Sequence, residues 1–214
     1  MARVKPKRVY DSALRKQQAG QTRMRILDAA QELFAARGYP TSTVEAIAAA
    51  AGVAVDTVYA TFGSKREVLK SLLDVRVGGD DATIDLLDRP GPQAVRAERD
   101  QQSQLSTFAR DVTEIIERVR PVDDIIRGAA AVDADVAALR VRIQESRYQS
   151  MREFVSWVAA NGPLRDGLTE EDAATILWTL TSPEVHGLLR AVRGWPAQRY
   201  TAWLHDSLTR ILLP

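Results

Sequence analysis

The sequence predicts an all-α protein with an N-terminal three-helix head and a larger C-terminal helical body. Three observations carry that prediction. Apolar residues recur at helical spacing from Gln21 to the C-terminus. Nowhere does sustained strand alternation stand between hairpin turns. Two short helical patterns flank a tight glycine turn between Ala48 and Val58, followed by Tyr59-Ala-Thr-Phe-Gly-Ser-Lys65. Two helices around such a turn form a helix-turn-helix, whose second helix is shaped for the DNA major groove.

The elements follow in order. Residues 1–18 are polar, basic and without periodicity, and read as a flexible arm. Ile26, Ala30, Leu33 and Phe34 form the apolar face of a first helix, which Gly38 and Pro40 end. Ser42 and Glu45 have capping-box spacing before a second helix carrying Val44, Ile47, Ala48 and Ala51. Gly52 supplies a left-handed turn. A third helix runs from about Val55 to Thr61, and Gly63 breaks it. Ser64 and Glu67 cap a fourth, with Val68, Leu69 and Leu72. Gly78-Gly79 and Pro-Gly-Pro at 90–92 mark a break over 77–93, with a short helix at 81–88 inside it. Further helices are expected at 93–119, 121–130, 133–160, 170–193 and 196–212, with Pro121, Asp133, Gly162-Pro163 and Gly194-Trp195-Pro196 as joints. The domain division that results is an arm at 1–18, a head at 19–75 and a body at 76–214.

Composition narrows the classes. The chain has 214 residues, 45% of them hydrophobic, enough for a real core. The longest apolar run, Ala46 to Val55, is too short to span a bilayer, and no apolar stretch follows the basic first residues, so neither a membrane span nor a secretory signal is expected. There is no cysteine, which fits a reducing cytoplasm and excludes thiol chemistry. The net charge of +1 hides an asymmetry: residues 1–75 hold 12 basic and 7 acidic residues (+5), the remainder 17 and 21 (−4). A basic end on an acidic body suits a polyanion partner at that end.

The head has a core and an outward face. Ile26, Phe34, Ile47, Val58 and Phe62 are its natural core, and Ala48 must be small where the helices touch. Thr57 and Tyr59 lie on the third helix away from Val58, with hydroxyls that reach phosphates or base edges. Thr43 sits at the N-terminus of the second helix, where N–H groups favour a phosphate. Lys65 brings a cation to the start of the fourth helix, and Arg23 and Arg25 stand at the start of the first.

The series Thr22-Arg23, Ile26-Leu27, Ala29-Ala30, Leu33-Phe34, Gly38-Tyr39, Thr43-Val44, Ile47-Ala48, Ala51-Gly52-Val53, Thr57-Val58-Tyr59 and Phe62-Gly63-Ser64-Lys65 resembles the N-terminal domain of TetR-family transcriptional regulators. The resemblance covers roughly residues 20–70. It implies an all-helical homodimer whose head binds double-stranded operator DNA and whose body dimerises and holds a small-molecule effector. It also implies DNA contact by Thr43, Thr57, Tyr59 and Lys65. Ala54 and Val55 depart from the pattern, standing where a Ser and a Lys or Arg are frequent, so one cap and one cation are missing. Asp56 on the reading helix either accepts from a cytosine or adenine amino group or complements the helix dipole. Ala60 and Thr61 replace bulkier residues and offer methyl groups to thymine. The expected DNA-facing set is Arg23, Thr43, Val55, Asp56, Thr57, Tyr59, Ala60 and Lys65. The basic arm would enter the minor groove or follow phosphates.

In the body, the segments 169–193 and 196–213 carry more apolar surface than one side of a small body needs. Such helices pair as a four-helix interface or fill a monomer core; the resemblance implies a homodimer through residues 169–213. Thr181-Ser-Pro-Glu184 is a cap-like signal predicting a kink there. Among the polar and aromatic residues of the middle helices, Arg127, Tyr148, Trp157, Trp178 and His186 are the candidates for an effector site, the effector's class being unreadable. No cofactor is expected. His186 and His205 have no metal spacing, and P-loop, G-x-G-x-x-G and G-x-S-x-G motifs are absent, so no enzyme is expected. The leading expectation is a cytoplasmic, ligand-released repressor on a palindromic operator. The alternative is a helical small-molecule-binding or enzymatic protein whose basic head makes only non-specific nucleic-acid contacts.

Overall fold

The computed structural model describes residues 10–214, with side chains from Leu14 onward. Among these residues there are helices and no strands. The chain divides into two compact units between Leu72 and Leu73, a division that falls inside a helix.

The head contains α1 (Tyr10–Arg37), α2 (Val44–Ala51), α3 (Val55–Phe62) and the start of α4 (Lys65–Gly78). Ile26, Phe34, Ile47, Val58 and Phe62 are all buried, as the helical spacing predicts. Ala48 is buried where α2 meets the turn, and its carbonyl accepts from Val53 N–H at 3.0 Å. Gly52 has φ 65°, the left-handed conformation that glycine takes without strain. The turn bends the chain by 107° between α2 and α3, within the helix-turn-helix range.

Two expectations for the head are corrected. Residues 10–18, expected in a flexible arm, continue α1 as helix; residues 1–9 lie outside the described residues. Leu14, Arg15, Lys16, Gln17 and Gln18 are good helix formers, and their exposed positions need no apolar periodicity. The cap of α2 is Thr43 rather than Ser42: its hydroxyl accepts from Ala46 N–H at 3.2 Å. Ser42 is buried and donates instead, to Gly38 at 2.9 Å and Leu33 at 3.2 Å. Ser64 does cap α4, accepting from Glu67 N–H at 3.2 Å.

The body contains the end of α4, a 3-10 turn (Leu86–Asp88), α5 (Pro90–Ala97), α6 (Gln101–Ala130), α7 (Ala134–Asn161), α8 (Glu170–Leu180), α9 (Pro183–Gly187), a π-helical turn (Leu188–Val192) and α10 (Ala197–Leu212). Its core joins Leu105, Phe108 and Val112 of α6 to Phe154 and Val158 of α7, Leu177 of α8, and Leu204 and Leu208 of α10. Burying each such side chain stabilises the fold by roughly 1.5–3 kcal/mol. Phe108 and Phe154 stack with ring centroids 3.9 Å apart.

Three joints differ from expectation. Pro90 opens α5 instead of breaking the chain, since a first-turn proline loses no helical hydrogen bond. The expected helix 93–119 is interrupted at 98–100, where Asp100 caps α6 by accepting from Ser103 N–H at 2.8 Å. α6 then runs on through Pro121. Proline removes one backbone bond there, but Ile116, Val122, Ile125 and Ile126 form a continuous buried stripe across it, and this packing holds the helix together. The break expected at 181–184 is present: Ser182 caps α9 by accepting from Val185 N–H at 3.2 Å.

Two arginines order the body's N-terminal end. Arg89 is buried and donates to the carbonyls of Gly78, Ala82 and Ile84 and to the Asp80 carboxylate. Arg118 of α6 donates to the carbonyl of Arg76 at 3.1 Å, satisfying the C-terminal turn of α4.

Candidate nucleic-acid interface and ligand site

α3 presents one outward face. Val58 and Phe62, four residues apart, point into the head and are buried. Asp56, Tyr59 and Ala60, related by three and four residues, are exposed together on the other side. Tyr59 is 47% exposed, so its ring and hydroxyl stand in solvent. Val55 and Thr57 flank this face and are partly exposed. Thr57 also accepts, through its carbonyl, from the Thr61 hydroxyl at 2.7 Å, which turns Thr61 back onto the helix. Ala54 caps α3 without any side-chain hydrogen bond, so nothing from that side chain covers the first N–H groups.

The three remaining members of the set have structural partners. Thr43 is exposed, but its oxygen is committed as the α2 cap and its O–H faces the Glu45 carboxylate. The Arg23 guanidinium lies over the Phe62 ring, 4.8 Å from its centroid. Lys65 donates to the carbonyls of Tyr39 at 2.9 Å and Ser42 at 3.0 Å, with its ammonium 4.2 Å from the Tyr39 ring centroid. It therefore ties α4 to the turn before α2. The sequence shows the lysine but not this closure, which joins residues 26 and 23 positions apart.

In the body the five candidate residues do not form one surface. Arg127 is exposed and pairs with Asp124 one turn back. Trp157 donates to Glu153 at 3.1 Å and meets the Phe154 ring edge-on. Tyr148 packs against the hydrophobic core. Trp178 and His186 belong to a chain of polar contacts. Trp178 donates to the Gln144 carbonyl at 3.3 Å and carries the Arg147 guanidinium over its ring. Arg147 donates to the Trp178 carbonyl at 2.7 Å, and burial lowers its pKa to about 10, so it stays charged. Tyr200, whose hydroxyl burial pushes up, donates to the Leu180 carbonyl at 3.3 Å and meets the His186 ring edge-on at 4.8 Å.

His186 is fully buried, and its Nε2 lies 3.1 Å from Glu117 Oε1. The same oxygen accepts from Arg190 Nε at 2.6 Å. Burial raises the Glu117 pKa, but the hydrogen bonds from Arg190 and His186 outweigh it, and the carboxyl lies below its usual range. Burial lowers the His186 pKa against the pull of Glu117. The ring is thus neutral, with its proton on Nε2 facing a carboxylate that can only accept. Glu117, Arg147 and Arg190 carry no sequence signal as site residues, because the contacts that join them to Trp178 and His186 span 31 or more positions. Among the described residues no group of three or more His, Asp or Glu could hold a metal ion, and no single helix is long and apolar enough to cross a membrane.

A helix-turn-helix head presents its second helix in the geometry that enters a DNA major groove. Residues 26–72 match the family model of the bacterial regulatory proteins, tetR family. The HTH-type regulator TtgW of Pseudomonas putida is 48% identical over 59 residues, which are 28% of this chain and 44% of that protein. The chain thus spans less than half the length of that relative. The repressor BepR of Brucella suis is 27% identical over 186 residues, 84% of this chain and 86% of BepR. The crystal structure of NalD, the secondary repressor of the MexAB-OprM multidrug efflux pump in Pseudomonas aeruginosa, shares the fold. It has a TM-score of 0.67 at 23% identity and covers 92% of this chain and 98% of its own.

Proposed function

We propose that this protein is a cytoplasmic, non-enzymatic transcriptional repressor that binds a palindromic operator as a homodimer and is released by a small molecule held in its body. The observation that carries this reading is the α3 face of Asp56, Tyr59 and Ala60, exposed as a unit on a helix whose other side is locked into the head. Tyr59 and Thr57 supply hydroxyls for phosphates or base edges, Asp56 an acceptor for a base amino group, and Val55 and Ala60 apolar contact for thymine methyls. Arg23, Thr43 and Lys65 shape the frame around that face, Arg23 over the Phe62 ring, Thr43 as the α2 cap and Lys65 on the carbonyls of Tyr39 and Ser42. Relatives described as repressors, BepR and NalD, support the direction of control. Effector and operator would be coupled reciprocally, by typically ~1–3 kcal/mol.

The three-way comparison of Asp56→Ala, Tyr59→Phe and the parent protein on a set of duplexes tests the assignment. Tyr59→Phe is expected to weaken binding to every duplex by a similar factor. Asp56→Ala is expected to change which duplex binds best, by about 1–3 kcal/mol at one base pair. A parent protein that binds all duplexes equally would favour the alternative, a head with only non-specific nucleic-acid contacts.

A further inference from the structure

The polar chain in the body contains one atom that its own fold does not satisfy. His186 Nδ1 is fully buried and has no hydrogen-bond partner among the described residues. Buried polar atoms are almost always paired, because an unmet one costs the full desolvation of the group. The orientation of the ring is nevertheless fixed. Glu117, itself held by Arg190, accepts from Nε2, and the Tyr200 ring meets the imidazole edge-on. Since Nε2 must donate to a carboxylate, Nδ1 carries a lone pair and no proton.

The backbone around this ring is also unusual. Directly after α9 the chain widens into the π-helical turn Leu188–Val192, with Arg193 N–H reaching the Leu188 carbonyl at 3.0 Å. Single π turns of this kind occur frequently at functional sites. Gly187, beside the histidine, has ordinary helical angles that demand no glycine. A Cβ placed there would meet only the Cδ of Arg120, at 3.9 Å. A glycine in a helix costs about 1 kcal/mol relative to alanine, so neither conformation nor crowding accounts for it.

Resting on the effector-released reading above, we propose that His186 Nδ1 is the acceptor that recognises the effector, and that the effector is a neutral, largely apolar molecule carrying one O–H or N–H donor. The chemistry selects this class. A ligand facing a fixed lone pair must bring a proton, so a carboxylate or phosphate has nothing to offer it. The charged groups that face the ring are Glu117, Arg120 and Arg190, two guanidiniums against one carboxylate, so a cationic donor meets repulsion. Tyr200, whose ring meets the imidazole, belongs to an apolar core with Phe108, Phe154 and Leu177, and apolar surroundings of that kind suit the rest of such a molecule.

Calorimetric titration of the full chain with 2-naphthol and with 2-methoxynaphthalene tests this. The two probes share one skeleton and differ by the donor. The parent protein is expected to bind 2-naphthol about tenfold more tightly, the weight of one hydrogen bond to a buried acceptor. His186→Asn, whose amide oxygen replaces Nδ1, keeps that preference. His186→Phe loses it while still binding both probes. If the phenylalanine variant does not melt as a folded protein, His186→Gln takes its place, since its amide reaches the Nε2 position instead. No preference in the parent, no binding of either probe, or a preference that survives in the variant lacking an acceptor would each overturn the proposal. Sequence-selective DNA binding on the same preparations is read independently. If it is present while the preference is absent, only the effector class falls; if it is absent, the regulatory reading falls with it.

Discussion

Replacing Lys65 with methionine is expected to destabilise the head by about 2–3 kcal/mol while leaving the salt dependence of DNA binding unchanged. The ammonium donates to two carbonyls, of Tyr39 and Ser42, in the segment that leads into α2. Methionine keeps the length and apolar stem but removes the donors, leaving those carbonyls unmet and the cation–π contact with Tyr39 gone. A lysine that neutralises a phosphate behaves differently: its loss lowers the log–log salt slope by about 0.9 with little change in stability. Thermal melting and DNA binding at several salt concentrations separate the two roles. A reduced slope with unchanged melting would show that Lys65 contacts DNA directly and that its tie to the turn is incidental.

The second large effect is expected at the C-terminal helices. Leu188 and Val192 are 58% and 74% exposed, on the π-helical turn that follows α9. Exposed aliphatic side chains four residues apart, with Trp195 and Trp203 packed edge-on nearby, form the kind of surface a second copy covers. Leu188→Asp combined with Val192→Asp is expected to give a folded monomer. Its operator affinity should fall by roughly 10²–10⁴, because two heads no longer bind as one linked unit. Analytical ultracentrifugation reads the first effect and binding to a two-half-site duplex the second. A variant that remains dimeric would place the interface elsewhere on the body.

The head was legible in the sequence because its determinants are local. A left-handed glycine at 52, a small residue at 48, an apolar plug at 58 and a serine cap at 64 are all short-range signals, and each has the conformation or burial expected of it. Even there, adjacent hydroxyl residues exchanged roles. Ser42 and Thr43 both suit a cap, and only the packing of Ser42 against Leu33 and Gly38 decides between them. The first turns of α1 were missed because an exposed helix made of good helix formers leaves no apolar pattern. Pro121 misled because a proline signal is local while the buried stripe that overrides it is tertiary. In the body, His186 could be singled out as one of only two histidines, but its setting could not. Glu117, Arg147, Arg190 and Tyr200 come to one region from four separate stretches of chain, and burial of charged residues has no signature in sequence periodicity.

The measurement that bears most directly on the function is selection of binding sites from a random DNA pool by the purified full chain at near-physiological salt. The expected result is an enriched consensus with two-fold symmetry, its half-sites separated by a spacing that the dimer sets. Binding without any enriched motif, lost as salt rises, would contradict an operator-reading dimer and leave the basic head as an electrostatic footprint alone.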